Sequence, residues 1–334
     1  MDLDDPVALS AEPGRLHAVA GSGAVVRAVQ RADLPGAPLL SGVEVGACGV
    51  ITGEVIDPAY GDALAQLLID LGAPVATSMA GLDPGGRFPR SADAVVVVST
   101  SGAERALLDA VQIAAARGSS VTVIAPAGSP IAAVAAERRA LLCETDSAED
   151  AGDGAWWAAY AACLGLWRGA PALNELAEDL DEAAASMGPV VATYRNPAKQ
   201  LAAMRDPALL LATDLPSMLL ARLLESELAS ADQPVRAVDL RRGTAVLGRL
   251  ARASAGAHDI FYDPEIDGPG ARTWRPVLLP HAGDVARSDA AARVAEHLGP
   301  VLAIHTPDLS GPWSAVHAVL LAQLAGAYRD LTDR

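Results

Sequence analysis

The chain has 334 residues but only two phenylalanines, three cysteines and one lysine, Lys199. With so little Phe, the core must be filled by Val, Leu, Ile and above all Ala. Ala-rich packing brings backbones close together, which suits helices laid flat on a sheet. Cys48, Cys143 and Cys163 are widely spaced and form no CxxC pair. A disulfide framework or a thiolate metal site is therefore not expected, and buried free thiols in a reducing cytoplasm are. The single lysine leaves no second candidate for a lysine-dependent step. Positive charge is scarce overall: 25 Lys and Arg stand against 41 Asp and Glu, a net charge of −16. That balance opposes nucleic acid and anionic membrane as partners. No stretch of about 20 uninterrupted apolar residues suggests a membrane span. The opening MDLDDPVALSAEPGRL has neither the basic start nor the apolar run of a signal peptide. A soluble, cytoplasmic protein is expected. No two His or Cys have ligand spacing on one element, so no metal is expected. A Gly-x-Ser-x-Gly elbow is missing, and Gly42, Gly46 and Gly49 do not follow the dinucleotide fingerprint, so no cofactor is expected either.

What the chain does have is apolar material, 51% of residues against 20% charged, and a length that suits one large domain or two of roughly 150 residues. The most informative stretch is Ala94 to Ala125, AVVVVSTSGAERALLDAVQIAAARGSSVTVIA. Val95 to Val98 is a continuous β-branched run, the mark of a strand buried on both faces. Leu107, Leu108, Val111, Ala114 and Ala115 recur at helical spacing, and Arg117-Gly118 supplies a basic last turn and a left-handed stop. Val121 to Ala125 is the second buried run. Together they make one βαβ unit, with a Ser/Thr/Gly turn where α/β proteins bind small ligands.

Upstream, residues 2 to 30 look helical. Ser41 to Gly53 reads as a strand and glycine turn, Ala63 to Leu71 as a helix and Ala73 to Ser78 as a strand. Downstream, a helical pattern from Gly154 to Met187 carries Trp156, Trp157, Tyr160 and Trp167, either bridging two halves or facing a partner. Gly188-Pro189 is the boundary. Beyond it, Val190 to Tyr194, Leu209 to Thr213, Val235 to Leu240, Ile260 to Tyr262, Val277 to Leu279 and Val301 to Ile304 are short apolar runs. Helical patterns occupy Ser217 to Ala229, Asp284 to Leu298 and Trp313 to Tyr328. The expected class is α/β, with two doubly wound domains over 1–187 and 188–334, each a mainly parallel sheet flanked by helices.

The run Ser99-Thr100-Ser101-Gly102, set between a buried strand and an Ala-rich helix, resembles the sugar isomerase (SIS) domain. That family carries a Ser-x-Ser-Gly-x-Thr-x-Glu type loop, whose hydroxyls and N–H groups hold the phosphate of a phosphosugar. Two such domains joined by a long helix look like the bifunctional glucose-6-phosphate/mannose-6-phosphate isomerases. The closing pattern, with Leu320-Leu321-Ala322-Gln323 and Tyr328, resembles that family's last helix. The resemblance implies an aldose–ketose isomerase acting on a phosphorylated sugar, or a catalytically degenerate relative that binds a sugar derivative or a partner protein. It also implies a homodimer, for which the Trp156/Trp157 and Trp313 helices offer aromatic anchors. Ser99, Thr100, Ser101 and Gly102 would bind phosphate, with Arg105 beside them.

Two readings of the turn stay open. A helix N-terminus with serine hydroxyls is a ready anion site. Ser101-Gly102-Ala103-Glu104 also fits a capping box, Ser101 at the N-cap and Glu104 at N3, in which the chain satisfies itself. The family's Thr position holds Glu104, and a carboxylate about 4 Å from a phosphate costs on the order of several kcal/mol unless neutralised, as by Arg105. Isomerisation needs a base and a ring-opening acid. The family's His-Asn-Glu run is missing, as is a lysine near the start of the last helix, where Gly311, Pro312 and Trp313 stand. By position, Glu225 is the candidate base and His281, at a strand's carboxyl end, the candidate acid. His305 has a similar position, Glu227 shares the helix of Glu225, and His317 looks packed.

Overall fold

The structure, a computed structural model, describes residues 2–11, 14–31, 45–53, 56–145, 152–230, 233–242, 274–279, 289, 291–296, 300–304 and 314–333. The chain divides into two compact units, Pro13–Ala185 and Ser186–Arg334 with Met1–Glu12. The N-terminal stretch, expected with the first half, thus joins the second. Asp4 ties it there: its carboxylate accepts from the N–H and the hydroxyl of Thr193 at 2.7 and 2.9 Å. The residues expected as one helix from 2 to 30 form three short ones, α1 (Pro6–Ala11), α2 (Gly14–Ala20) and α3 (Ser22–Arg31).

The first unit holds β1 (Cys48–Thr52), α4 (Pro58–Asp70), β2 (Ala76–Met79), β3 (Ala94–Val98), α5 (Arg105–Ala116), β4 (Ser120–Pro126), α6 (Pro130–Glu137) and β5 (Leu141–Thr145). Its five strands are all parallel, in the order β2-β1-β3-β4-β5. The chain steps one way from β1 to β2 and the other way from β3 to β5. Right-handed crossovers therefore put α4 on one face and α5 and α6 on the other. Every residue of β3 is buried, as its β-branched run requires. Val95 and Val97 pack with Leu107, Ala110, Val111 and Ala114 of α5 and Ile131 and Ala135 of α6.

The helical pattern from 154 to 187 is two helices, α7 (Gly152–Arg168) and α8 (Ala170–Ser186). Gly169 breaks it: φ is +80°, a left-handed value that glycine adopts without steric cost. Trp156 and Trp157 of α7 are 2% and 1% exposed, so they are core residues and not anchors for a partner. They cluster with Tyr60 and Tyr160, and the Trp156 Nε1–H donates to the Tyr60 carbonyl at 2.9 Å. The three cysteines are free and buried in this unit. Burial, with the Asp93 and Glu144 charges respectively, pushes the Cys48 and Cys143 thiols up to about 11.

The second unit contains α9 (Pro197–Ala202), β6 (Ala208–Ala212), α10 (Leu215–Leu228), β7 (Val235–Asp239), β8 (Arg275–Leu278), β9 (Leu302–Ala303) and the long closing helix α11 (Ser314–Thr332). Its four described strands are parallel in the order β7-β6-β8-β9. Val190 to Tyr194, expected as a strand, instead leads into a 3-10 turn at Thr193–Arg195, with Val190 82% exposed. No strand partner stands beside it among the described residues. The neighbouring Lys199 side chain is buried, and its Nζ donates to the Pro189 carbonyl at 2.8 Å. Desolvation pulls its pKa down, against the opposing pull of Asp4 and Asp2. The run Ile260 to Tyr262 lies outside the described residues, as does Trp313.

Candidate functional site

In an open parallel sheet, ligands bind beyond the carboxyl ends of the strands where the strand order reverses. In the first unit that place lies between β1 and β3. Gly53 follows β1 and donates to the Val98 carbonyl at 3.0 Å; Ser99 follows β3 and donates to the Ile124 carbonyl at 2.9 Å. The Ser99–Glu104 turn therefore sits at the crevice.

The turn is held from within. Gly102 takes φ of +69° and donates to Ser99 Oγ at 2.7 Å. Its carbonyl accepts from Ile131 at 3.0 Å, and a Cβ there would fall 2.2 Å from the Cβ of Ser129. Ser129 caps α6 by accepting from Ala132 at 3.3 Å. The close approach and the left-handed backbone both demand glycine.

The expected capping box between Ser101 and Glu104 does not form. The left-handed Gly102 prevents a helix from starting at Ser101, so α5 begins at Arg105 with Glu104 at the N-cap. Ser101 Oγ accepts from Ala103 at 3.2 Å instead. The Glu104 side chain turns back, and the Ser99 hydroxyl donates to its Oε2. Its Oε1 is buried without a hydrogen-bond partner, against Gly53, where a Cβ would stand 2.5 Å away. A carboxylate of the chain thus reaches into the β1/β3 crevice. Partial burial raises the Glu104 pKa, but the hydroxyls of Ser99 and Ser101 and the N–H groups of Glu104 and Ala103 favour the ionised form and outweigh it. The group titrates below its ordinary value.

Arg105 does not neutralise this carboxylate. Its side chain is 89% exposed and lies 3.6 Å from Asp109, one helical turn along α5. Thr100 is half-buried in the same turn.

The second unit repeats the arrangement at its own reversal, between β6 and β8. Asp214 caps α10 in a reciprocal box with Ser217: Ser217 N–H donates to Asp214 Oδ1 at 2.7 Å, and Asp214 N–H donates to Ser217 Oγ at 3.1 Å. The preceding Thr213 hydroxyl is buried without a partner. Here too a carboxylate of the chain occupies the helix N-terminus. The signal was legible in Asp-Leu-Pro-Ser, with Pro216 in the first turn, but a helix start at Ser217 hides it.

The candidate base, Glu225, lies roughly 15 Å down α10 from that end, at 1.5 Å per residue. Its carboxylate accepts from Arg236 Nη1 at 2.9 Å and from the Ala237 N–H at 3.1 Å, fastening α10 to β7. His281 and His305 lie outside the described residues, so Glu225 is not brought together with an acid among those described. His317 sits half-buried on α11.

No protein-family model and no curated protein matches the chain. Solved structures do, over nearly its whole length. The C-terminal domain of glucosamine-fructose-6-phosphate aminotransferase from Francisella tularensis matches with a TM-score of 0.58 at 13% identity, covering 96% of this chain and 94% of that one. Tagatose-6-phosphate ketose/aldose isomerase from Escherichia coli matches with 0.55 at 12%, covering 96% and 90%. A glucose-6-phosphate isomerase like protein from Thermus thermophilus matches with 0.51 at 14%, covering 100% and 94%. The chain has the fold of the sugar isomerase (SIS) proteins.

Proposed function

We propose that this chain is an SIS-fold protein that binds a sugar derivative at the β1/β3 crevice without isomerising a sugar phosphate. The observation that carries this reading is the Glu104 carboxylate, held by Ser99 where the turn would otherwise receive an anion. Two like charges about 4 Å apart repel by about 4 kcal/mol at an effective dielectric of 20, which lowers affinity for a phosphate by about a thousandfold. The same carboxylate is an acceptor suited to sugar hydroxyls or an amino group. The engagement of Glu225 by Arg236 and Ala237 supports the absence of a free base there.

A second reading, an aldose–ketose isomerase with Glu225 as base and His281 as acid, draws support from the isomerases named among the solved structures. In either reading each compact unit is one SIS-like domain, and the protein is a cytoplasmic homodimer.

The test incubates the purified protein with fructose-6-phosphate and follows glucose-6-phosphate and mannose-6-phosphate. The proposal expects neither product, and a saturable rise in melting temperature with a neutral or amino sugar, with no rise on fructose-6-phosphate that Ser101→Ala removes. Turnover abolished by Ser101→Ala would overturn it in favour of the isomerase.

A further inference from the structure

The amino ends of β4 and β5, opposite the Ser99 turn, line a half-open cavity of about 370 Å³ in the first unit. That volume falls at the small end of ligand pockets, roughly 300–1,000 Å³. Its floor is apolar, with Val121, Leu141 and Leu166, and its polar wall carries Thr122, Arg138 and Arg139. We propose that this cavity is a second binding site, for a compact organic anion gripped by Arg138 and Arg139.

Three observations carry it. The first is the backbone at Arg139, where φ is +56°. The residue after a helix end commonly takes this left-handed conformation, and glycine takes it without steric cost. The ends of α4, α5 and α7 use Gly72, Gly118 and Gly169 at φ of +106°, +75° and +80°. At α6 the chain places an arginine instead, at a steric cost that side-chain burial does not recover, since Arg139 is exposed. Strain kept at the rim of a cavity points to function.

The second is charge. Among the described residues Arg139 makes no ion pair, and the nearest carboxylate to Arg138 is Glu137 at 3.6 Å, between two largely exposed groups. In a chain of net charge −16, two adjacent guanidinium groups on a cavity wall form a local anion trap.

The third is what the helix ends do not contribute. Both α5 and α6 end here, and open carbonyls would repel an anion. The turns close two carbonyls of each: Ser119 N–H donates to Ala114 at 3.2 Å, Gly118 to Ala115 at 3.0 Å, Ala140 to Ala135 at 2.9 Å and Arg139 to Ala136 at 3.2 Å. The two guanidinium charges exceed the roughly half negative charge that each helix end presents.

The experiment uses the full chain and reads melting temperature against citrate and inorganic phosphate, each balanced by sodium chloride at equal ionic strength. The wild type is expected to rise saturably with one of the two, and which one assigns the ligand as a carboxylate or a phosphate. Arg139→Gly is expected to raise the anion-free melting temperature by about 2–4 °C and to remove the anion-dependent rise; Arg138→Ala removes it too. No saturable rise in the wild type overturns the proposal. So does a rise that survives Arg139→Gly, or an anion-free melting temperature that falls in that variant. A rise kept by Arg139→Gly but lost in Ser101→Ala assigns the anion to the Ser99 turn and counts also against the function proposed above.

Discussion

Gly102→Ala is the perturbation whose cost follows most directly from the geometry of the Ser99–Glu104 turn. The new Cβ would lie 2.2 Å from Ser129 Cβ, 2.4 Å from Ser129 Oγ and 3.3 Å from Pro126 Cδ. A Cβ is no flexible tip, so backbone must move. Holding alanine at φ of +69° costs about 1–2 kcal/mol. Displacing Ser129 weakens the cap of α6, for about 1 kcal/mol more. Overpacking of a filled site adds about 1–3 kcal/mol. The sum is about 3–6 kcal/mol, read as a fall in urea midpoint at constant slope. The double variant Gly102→Ala, Ser129→Gly relieves the overlap and is expected to cost less than the two single changes added together. A Gly102→Ala protein within about 1 kcal/mol of wild type would refute the close approach of the two turns and, with it, the shape assigned to the site.

Two further outcomes concern the carboxylates. Glu104→Gln is expected to cost about 1.5–3 kcal/mol at neutral pH, the worth of a hydrogen bond to a charged group. The folded-state pKa lies below the ordinary 4.5, so this stability is full above 4.5 and lost as pH falls through the lower, folded value. Urea melts at pH 7, 5 and 3 should show the gap between wild type and variant intact at the first two and narrowed at the last; a gap that is constant to pH 3 contradicts an ionised Glu104. Asp214→Ala removes the cap of α10 and is expected to cost about 1 kcal/mol, measured by the same melts.

Much of the fold was legible because one physical pattern dominated each element. The β-branched run at Val95–Val98 permits only a strand buried on both faces, and the stripe from Leu107 to Ala115 permits only a helix laid on it. Strand order was not legible: β1 pairs with both β2 and β3, a non-local choice that local spacing does not encode. The crevice at Gly53 therefore emerges only from the folded sheet. Trp156 and Trp157 read as interface residues because aromatic density is common at interfaces, yet α7 lies buried and makes them core. At the turn, the sequence offered Ser101 as partner for Glu104. The left-handed Gly102 delays the helix start to Arg105, and Ser99 joins Ser101 in holding the Glu104 carboxylate. A period or a spacing carries no information that the carboxylate will turn back to meet Ser99 at the end of the strand. Glu225 looked available for the same reason: its partners Arg236 and Ala237 come from β7, beyond the helix that carries it.

The most direct measurement titrates fructose-6-phosphate into the wild type and into Glu104→Thr by calorimetry at near-neutral pH. The account predicts no binding to the wild type beyond any that Arg139→Gly removes. In the variant, where a hydroxyl replaces the carboxylate in the β1/β3 crevice, it predicts measurable, saturable binding, a gain of about a thousandfold. Binding of the phosphate to the wild type, with no gain in Glu104→Thr, would contradict the claim that this chain fills its own anion site.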